Sequence, residues 1–262
     1  MLMDAYFEPI APGQYQPTAF AGGAWQDNEI HFSPLGGLIV HAMDRHRAAT
    51  ASSGTKELGR ISFDILGFLA ADACTVTVET IRPGRTIELL EATVTIAGRA
   101  AVLARAWYIA TAETSTVAGG DTVPMVSPDR CIPWTMTDTW PGGFVASLEM
   151  QAVAPPVAGR VSAWLRTDIA LVAGEPSSAH ASFIALVDTA NGVAVREHPT
   201  EWMFPNLDLT IHLHRQPTGA WVGLDTSVTF GPAGHGLTSS VLHDELGPIG
   251  RAEQILTVRP LG

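Results

Sequence analysis

The chain has 262 residues, 46% of them hydrophobic and 16% charged, which is ample for a large buried core and excludes a disordered polymer. Its formal net charge of -11 argues against a nucleic-acid or anionic-membrane partner, although a local arginine cluster could still hold an acidic substrate. The start, Met1-Leu2-Met3-Asp4-Ala5-Tyr6, lacks the basic-then-apolar pattern of a signal peptide, and no apolar run approaches the roughly 20 residues of a membrane span. Cys74 and Cys131 lie far apart with no CxxC or Cys/His cluster, which predicts reduced thiols without redox or metal roles. These features predict a soluble cytoplasmic protein.

Ser33-Pro34 reads as a helix N-cap followed by proline at the first helical position. Leu35, Leu38, Ile39, Ala42 and Met43 then recur at core-facing helical spacing, and the helix should fade near Arg47 into the small polar run 50–54. Gly36-Gly37 is odd inside that helix, because each glycine costs about 1 kcal/mol relative to alanine. Either a closely approaching ligand or strand, or tight packing on a sheet, would account for the pair. Strands are predicted over 61–69, around Val76, Val78 and Thr80, over 86–96 and over 101–110, with turns at Pro83-Gly84 and Ala97-Gly98-Arg99. A helix followed by hairpin-linked strands is an α+β unit. Residues 112–158 carry the densest Pro, Gly, Ser and Thr content and read as a connection, with a short strand around 144–152.

The second half opens near Gly159 with a strand over 161–167. Ser177-Ser178 caps a helix whose Phe183, Ile184, Val187 and Ala190 face inward, and Asn191-Gly192 should close it with positive φ. On this reading Asp188 is a helix-end residue and Asp168 a strand-edge residue. Leu207, Leu209, Ile211 and Leu213 alternate with Asp208, Thr210, His212 and His214, the clearest strand pattern in the chain. Strands over 221–230 and 251–259 follow. Gly250-Arg251-Ala252 echoes Gly98-Arg99-Ala100, so the chain reads as one fold stated twice. Polar groups suited to chemistry, Asn206-Leu207-Asp208 and Glu253-Gln254-Ile255, decorate the second copy alone.

Several segments resemble one family: Gly36-Gly37-Leu38-Ile39-Val40, Arg82-Pro83-Gly84-Arg85, Leu207-Asp208 through His214-Arg215, Trp221, and Gln254. Together they are similar to the TesB-like acyl-CoA thioesterases (thioesterase II) of the double hotdog type. The resemblance spans nearly the whole chain. It implies two hotdog units, each a long central helix wrapped by an antiparallel sheet. The N-terminal unit is expected at 1–115, a linker at 116–158, and a C-terminal unit carrying the chemistry at 159–262. It also implies hydrolysis of fatty acyl-CoA to free fatty acid and CoA, no cofactor, and a homo-oligomer.

The family's catalytic set is an Asp, a Thr or Ser, and a Gln that hold and activate a water. Carried onto this chain, the set is Asp208, Thr229 and Gln254, with Thr226 competing for the hydroxyl position. Thr229 shares a strand face with Asp225 and Ser227, whereas Thr226 lies with Val222 and Leu224. Gln254 falls on a buried face with Ala252, Leu256 and Val258, where an amide needs a partner. Gly36 and Gly37 are expected to bind substrate by offering helix N-terminal N–H groups to the thioester oxygen. His212 and His214 share the face of Asp208 but lack a further ligand, so no metal is expected. The absence of a Gly-x-Ser-x-Gly elbow and of phosphate-binding glycine loops removes other hydrolase and nucleotide schemes. Two alternatives stand beside the hydrolase: a non-catalytic acyl-CoA or lipid-binding hotdog protein, and a hotdog enoyl-CoA hydratase. Against the hydratase, the Asp208–His212 spacing is wrong and no proline follows.

Overall fold

The computed structural model describes residues 4–50 and 55–261, so Ala51–Gly54, most of the run into which the first helix should fade, lie outside the described residues. In chain order the first half contains β1 (Ala5–Ala11), β2 (Gln14–Pro17), α1 (Phe32–Ala49), β3 (Lys56–Ile65), β4 (Cys74–Arg82), β5 (Ile87–Ile96) and β6 (Arg99–Ala110). The second contains β7 (Ile132–Trp134), α2 (Gly143–Ala146), β8 (Glu149–Ala152), β9 (Arg160–Arg166) and β10 (Ala170–Val172). It continues through α3 (Ala179–Val187), α4 (Ala190–Val193), β11 (Trp202–Met203), β12 (Asp208–Leu213), β13 (Val222–Phe230), β14 (His235–Asp244), β15 (Gly247–Thr257) and β16 (Arg259–Pro260).

Fourteen of these strands form one sheet in the order β10-β1-β2-β4-β5-β6-β3-β12-β15-β14-β13-β9-β8-β7. The run β2-β4-β5-β6-β3 is mirrored by β9-β13-β14-β15-β12. The halves meet where β3 pairs antiparallel with β12, Ile61 opposite Ile211. An 18-residue helix, α1, packs under the first half and a shorter one of 9 residues, α3, under the second, the double hotdog architecture expected from the sequence. Segment 116–158 is not all connection, because β7 and β8 extend the sheet beyond β9.

The duplication is real, but its register differs from the Gly-Arg-Ala echo. Both copies carry a bulge in the same hairpin: between Val94/Val102 and Thr95/Ala100 in β5–β6, and between Leu242/Gly250 and His243/Pro248 in β14–β15. Val102 therefore corresponds to Gly250. Gly98 lies in the β5–β6 turn, where Ala97 and Gly98 both have positive φ, while Gly250-Arg251-Ala252 lies inside β15.

Helix boundaries follow local chemistry. His31, not Ser33, caps α1, its Nδ1 accepting the Ser33 N–H at 3.1 Å, and Pro34 falls at the third helical position. Ser178 caps α3 as the sequence indicates, accepting the Ala181 N–H at 3.1 Å. The chain does not stop at Asn191-Gly192. It turns through α4 across both residues, and Gly192 is not among the positive-φ glycines.

The glycine pair belongs to the contact between the two helices. A Cβ on Gly37 would lie 2.5 Å from the Ala185 Cβ and 2.8 Å from the Ala181 carbonyl oxygen, whereas one on Gly36 would meet Phe32 and Ile184 at ordinary distances. Substrate binding is therefore not needed to account for Gly37: a neighbouring helix, rather than a sheet or ligand, makes the close approach. Among the described residues no helix is long and apolar enough to cross a membrane.

Candidate active site

Strand register decides which of the expected residues can meet. Gln254 on β15 stands opposite Thr238 on β14, which stands opposite Val228 on β13, and all three are buried on the helix-facing side. One residue along, Ile255, Leu237 and Thr229 form the adjacent row, and all three are exposed on the outer side. Thr229 thus lies on the opposite face of the sheet from Gln254, because successive side chains in a strand alternate. Thr226 does face inward, but in a different row, and its hydroxyl is hydrogen-bonded to Ser240 at 2.8 Å.

Asp208 does not reach the interior either. Leu209, Ile211 and Leu213 of β12 are buried, leaving Asp208, Thr210 and His212 on the outer face. Its carboxylate accepts the Ile255 backbone N–H at 2.7 Å, a bond that ties β12 to β15. Partial burial, with a contribution from Asp64 opposite, raises its pKa. The expected convergence of Asp208, Thr229 and Gln254 does not occur.

Gln254 instead meets a carboxylate from the helix layer. Its Nε2 donates to Asp188 Oδ1 at 2.8 Å, and the Nδ2 of Asn206 donates to the same oxygen at 2.8 Å. Asn206 precedes β12 and bridges to Leu256, which places it beside Gln254 on the inner face, and it also donates to the Asp208 carbonyl at 3.0 Å. Asp188 caps the C-terminus of α3 and is 7% exposed. Burial pushes its pKa up to about 7 against the two amides, which lower it. The negative end of the α3 dipole acts in the same upward direction as burial. A carboxyl with one oxygen fixed by two donors and a pKa near neutrality can take up and release a proton at physiological pH.

Asp188 and Asn206 line a cavity of about 450 Å³ whose walls include Trp25, Phe68, Met136 and Trp140. Trp25, Trp140 and Phe204 stack edge to face at 4.7 to 5.9 Å, and the Trp140 indole N–H donates to the Gly192 carbonyl at 2.9 Å. Gln254 sits behind this wall and holds Asp188 from the sheet side. Three enclosed polar atoms nearby, Gln254 Oε1, Thr238 Oγ1 and Asn191 Oδ1, have no partner among the described residues.

The sequence held a signal for Asp188. Each long helix begins near a serine and carries an aspartate eleven residues on, Ser33 with Asp44 and Ser177 with Asp188. The structure makes the correspondence physical: the Ser33 hydroxyl lies 3.3 Å from that of Thr189, and Ser178 donates to Asp44 at 2.6 Å. By the bulge register Ala106 stands in the first copy where Gln254 stands in the second. Only the second copy pairs its helix carboxylate with that amide.

The fold and this cavity define a hotdog protein with a single decorated copy. An acyl-CoA thioesterase N-terminal domain model matches residues 22–109 and the corresponding C-terminal domain model matches 128–258. The chain belongs to the acyl-CoA thioesterase family. Among solved structures, it is similar to an acyl-CoA thioesterase II (TesB2) from Mycobacterium marinum, with 16% identity over 98% of this chain and 96% of that one, TM-score 0.68. It is also similar to a TesB protein from Mycobacterium avium subsp. paratuberculosis, with 16% identity over 97% and 96% of the two chains, TM-score 0.69. A conserved hotdog protein of unknown function from Alicyclobacillus acidocaldarius gives TM-score 0.75 at 11% identity, covering 97% and 96%. No curated protein matches the sequence.

Proposed function

We propose that this chain hydrolyses an acyl-CoA thioester to the free acid and CoA, with Asp188 as the base that activates water. The observation that carries the reading is the Asp188 carboxyl, raised to a pKa of about 7 and held by Asn206 and Gln254 at the wall of an aromatic-lined cavity. With Oδ1 occupied by two amides, Oδ2 is the oxygen left to accept a proton. Water attacks the carbonyl carbon as its proton passes to Oδ2. The tetrahedral intermediate collapses, the C–S bond breaks, and the carboxyl returns the proton to the CoA sulfur. No cofactor enters this scheme. The fatty acyl group would lie against the aromatic walls.

The test is a panel of acyl-CoA esters with a thiol-reactive dye. The reading predicts thiol release that Asp188→Asn abolishes and Asp208→Asn leaves intact. Tight acyl-CoA binding without thiol release would point to a binding protein instead, and loss of enoyl absorbance to a hydratase.

A further inference from the structure

Hydrolysis leaves one requirement unassigned: a donor for the carbonyl oxygen as it gains negative charge. The N-terminus of α1 opens on the same cavity, since His31 and Phe32 line it with Asp188 and Asn206. Backbone donors there are nearly used up. The His31 N–H donates to the Ala21 carbonyl at 2.9 Å, the Ser33 N–H to His31 Nδ1 at 3.1 Å, and Pro34 has none. Among the described residues, the Phe32 N–H is the one left in that turn.

We propose that His31 is a catalytic residue whose Nε2–H donates to the thioester carbonyl oxygen from the α1 side of the cavity, facing Asp188 on the α3 side. This assignment rests on the thioester reading above. Because Nδ1 accepts from Ser33, the proton of the neutral ring must sit on Nε2. Nε2 makes no hydrogen bond among the described residues, is not one of the enclosed unpaired atoms, and belongs to a residue that lines the cavity. The ring packs against Phe144, centroids 4.3 Å apart and planes tilted by 34°. Burial depresses its pKa to about 3, so the group is a fixed neutral donor and not an imidazolium acid. The Ser33–Thr189 hydroxyl contact at 3.3 Å ties the two helix ends that carry His31 and Asp188.

The experiment uses His31→Asn, which keeps an N-cap oxygen but withdraws the ring donor. Thiol release is measured together with binding of two inert analogues. One is a ketone in which CH2 replaces the thioester sulfur, and the other is an alkyl thioether with no carbonyl. The expected result is a fall in kcat of about 100-fold, the size of one oxyanion donor, and loss of the wild-type preference for the ketone. In wild-type protein the His31 Nε2–H proton resonance should move downfield with the ketone and not with the thioether, a readout independent of how the variant folds. Retained turnover and ketone preference in His31→Asn, or a resonance indifferent to the ketone, would overturn the assignment while leaving Asp188 untouched. A wild-type protein that neither hydrolyses acyl-CoA nor binds either analogue would overturn the thioester reading itself, and this donor with it.

Discussion

Replacing Asp188 by Asn should stabilise the protein at alkaline pH while removing its activity. Asparagine can present its Oδ1 to the same two donors, Asn206 and Gln254, so the geometry of the cluster survives. What changes is the charge. Burial raises the Asp188 pKa from 3.8 to about 7, so the folded chain keeps this proton at pH values where the unfolded chain has lost it. The carboxyl therefore contributes its full stability below the unfolded value, and that contribution is lost as pH rises through about 7. A shift of roughly three units corresponds to about 4 kcal/mol at 1.36 kcal/mol per unit, so the variant should be indistinguishable in stability from wild type near pH 4 and should gain by about 1.4 kcal/mol per pH unit up to neutrality. Denaturant unfolding of both proteins across pH 4 to 9 measures the difference directly. A stability difference that does not change with pH would mean that the carboxyl titrates normally, and the proposed base would lose its physical footing. Thiol release by the variant should fall by roughly 10²- to 10⁴-fold, the usual cost of a missing general base.

Other substitutions separate the structural groups from the chemical ones. Asp208→Ala and Thr229→Val should leave kcat/KM within about twofold, because both side chains lie on the outer face; Asp208→Ala should also cost about 1 kcal/mol as the Ile255 N–H loses its acceptor. A large loss of turnover in either would restore the outer face as a candidate. Gln254→Leu removes one of the two donors that lower the Asp188 pKa, so the acid limb of the rate profile should move to higher pH. A limb that stays put would uncouple the amide from the carboxyl. Gly37→Ala should destabilise by about 1–3 kcal/mol in a chemical melt, since its methyl group would press on Ala185 and Ala181; a neutral result would mean the helices part easily.

Much of the architecture was legible because its strands alternate cleanly. The β12 pattern of Leu209, Ile211 and Leu213 against polar partners gave both the strand and its buried face. β14 escaped for the opposite reason. Its inward positions include Thr238 and Ser240 as well as Leu242, and its outward ones include Leu237 and Val241, so over 237–241 hydrophobicity runs against burial. Gln254 shares the buried face of Ala252 and Leu256, as their spacing in sequence predicts. An aspartate ending a helix usually caps it, and Asp188 does cap α3. Its second role depends on Asn206 and Gln254, which lie 18 and 66 positions away in sequence, and only the sheet brings them together. Asp208 is implied by the family resemblance, yet as the first residue of β12 it lies on the face opposite Leu209, Ile211 and Leu213.

The most direct test of the account is the pH dependence of kcat/KM for thiol release from an acyl-CoA ester by the wild-type protein. The free-enzyme base should appear as a rise of slope one through a midpoint near 7, the value to which burial lifts Asp188, with a plateau above it. A profile already flat from pH 5 upward, or an unaltered one in Asp188→Asn, would contradict the claim that this buried carboxyl activates the water.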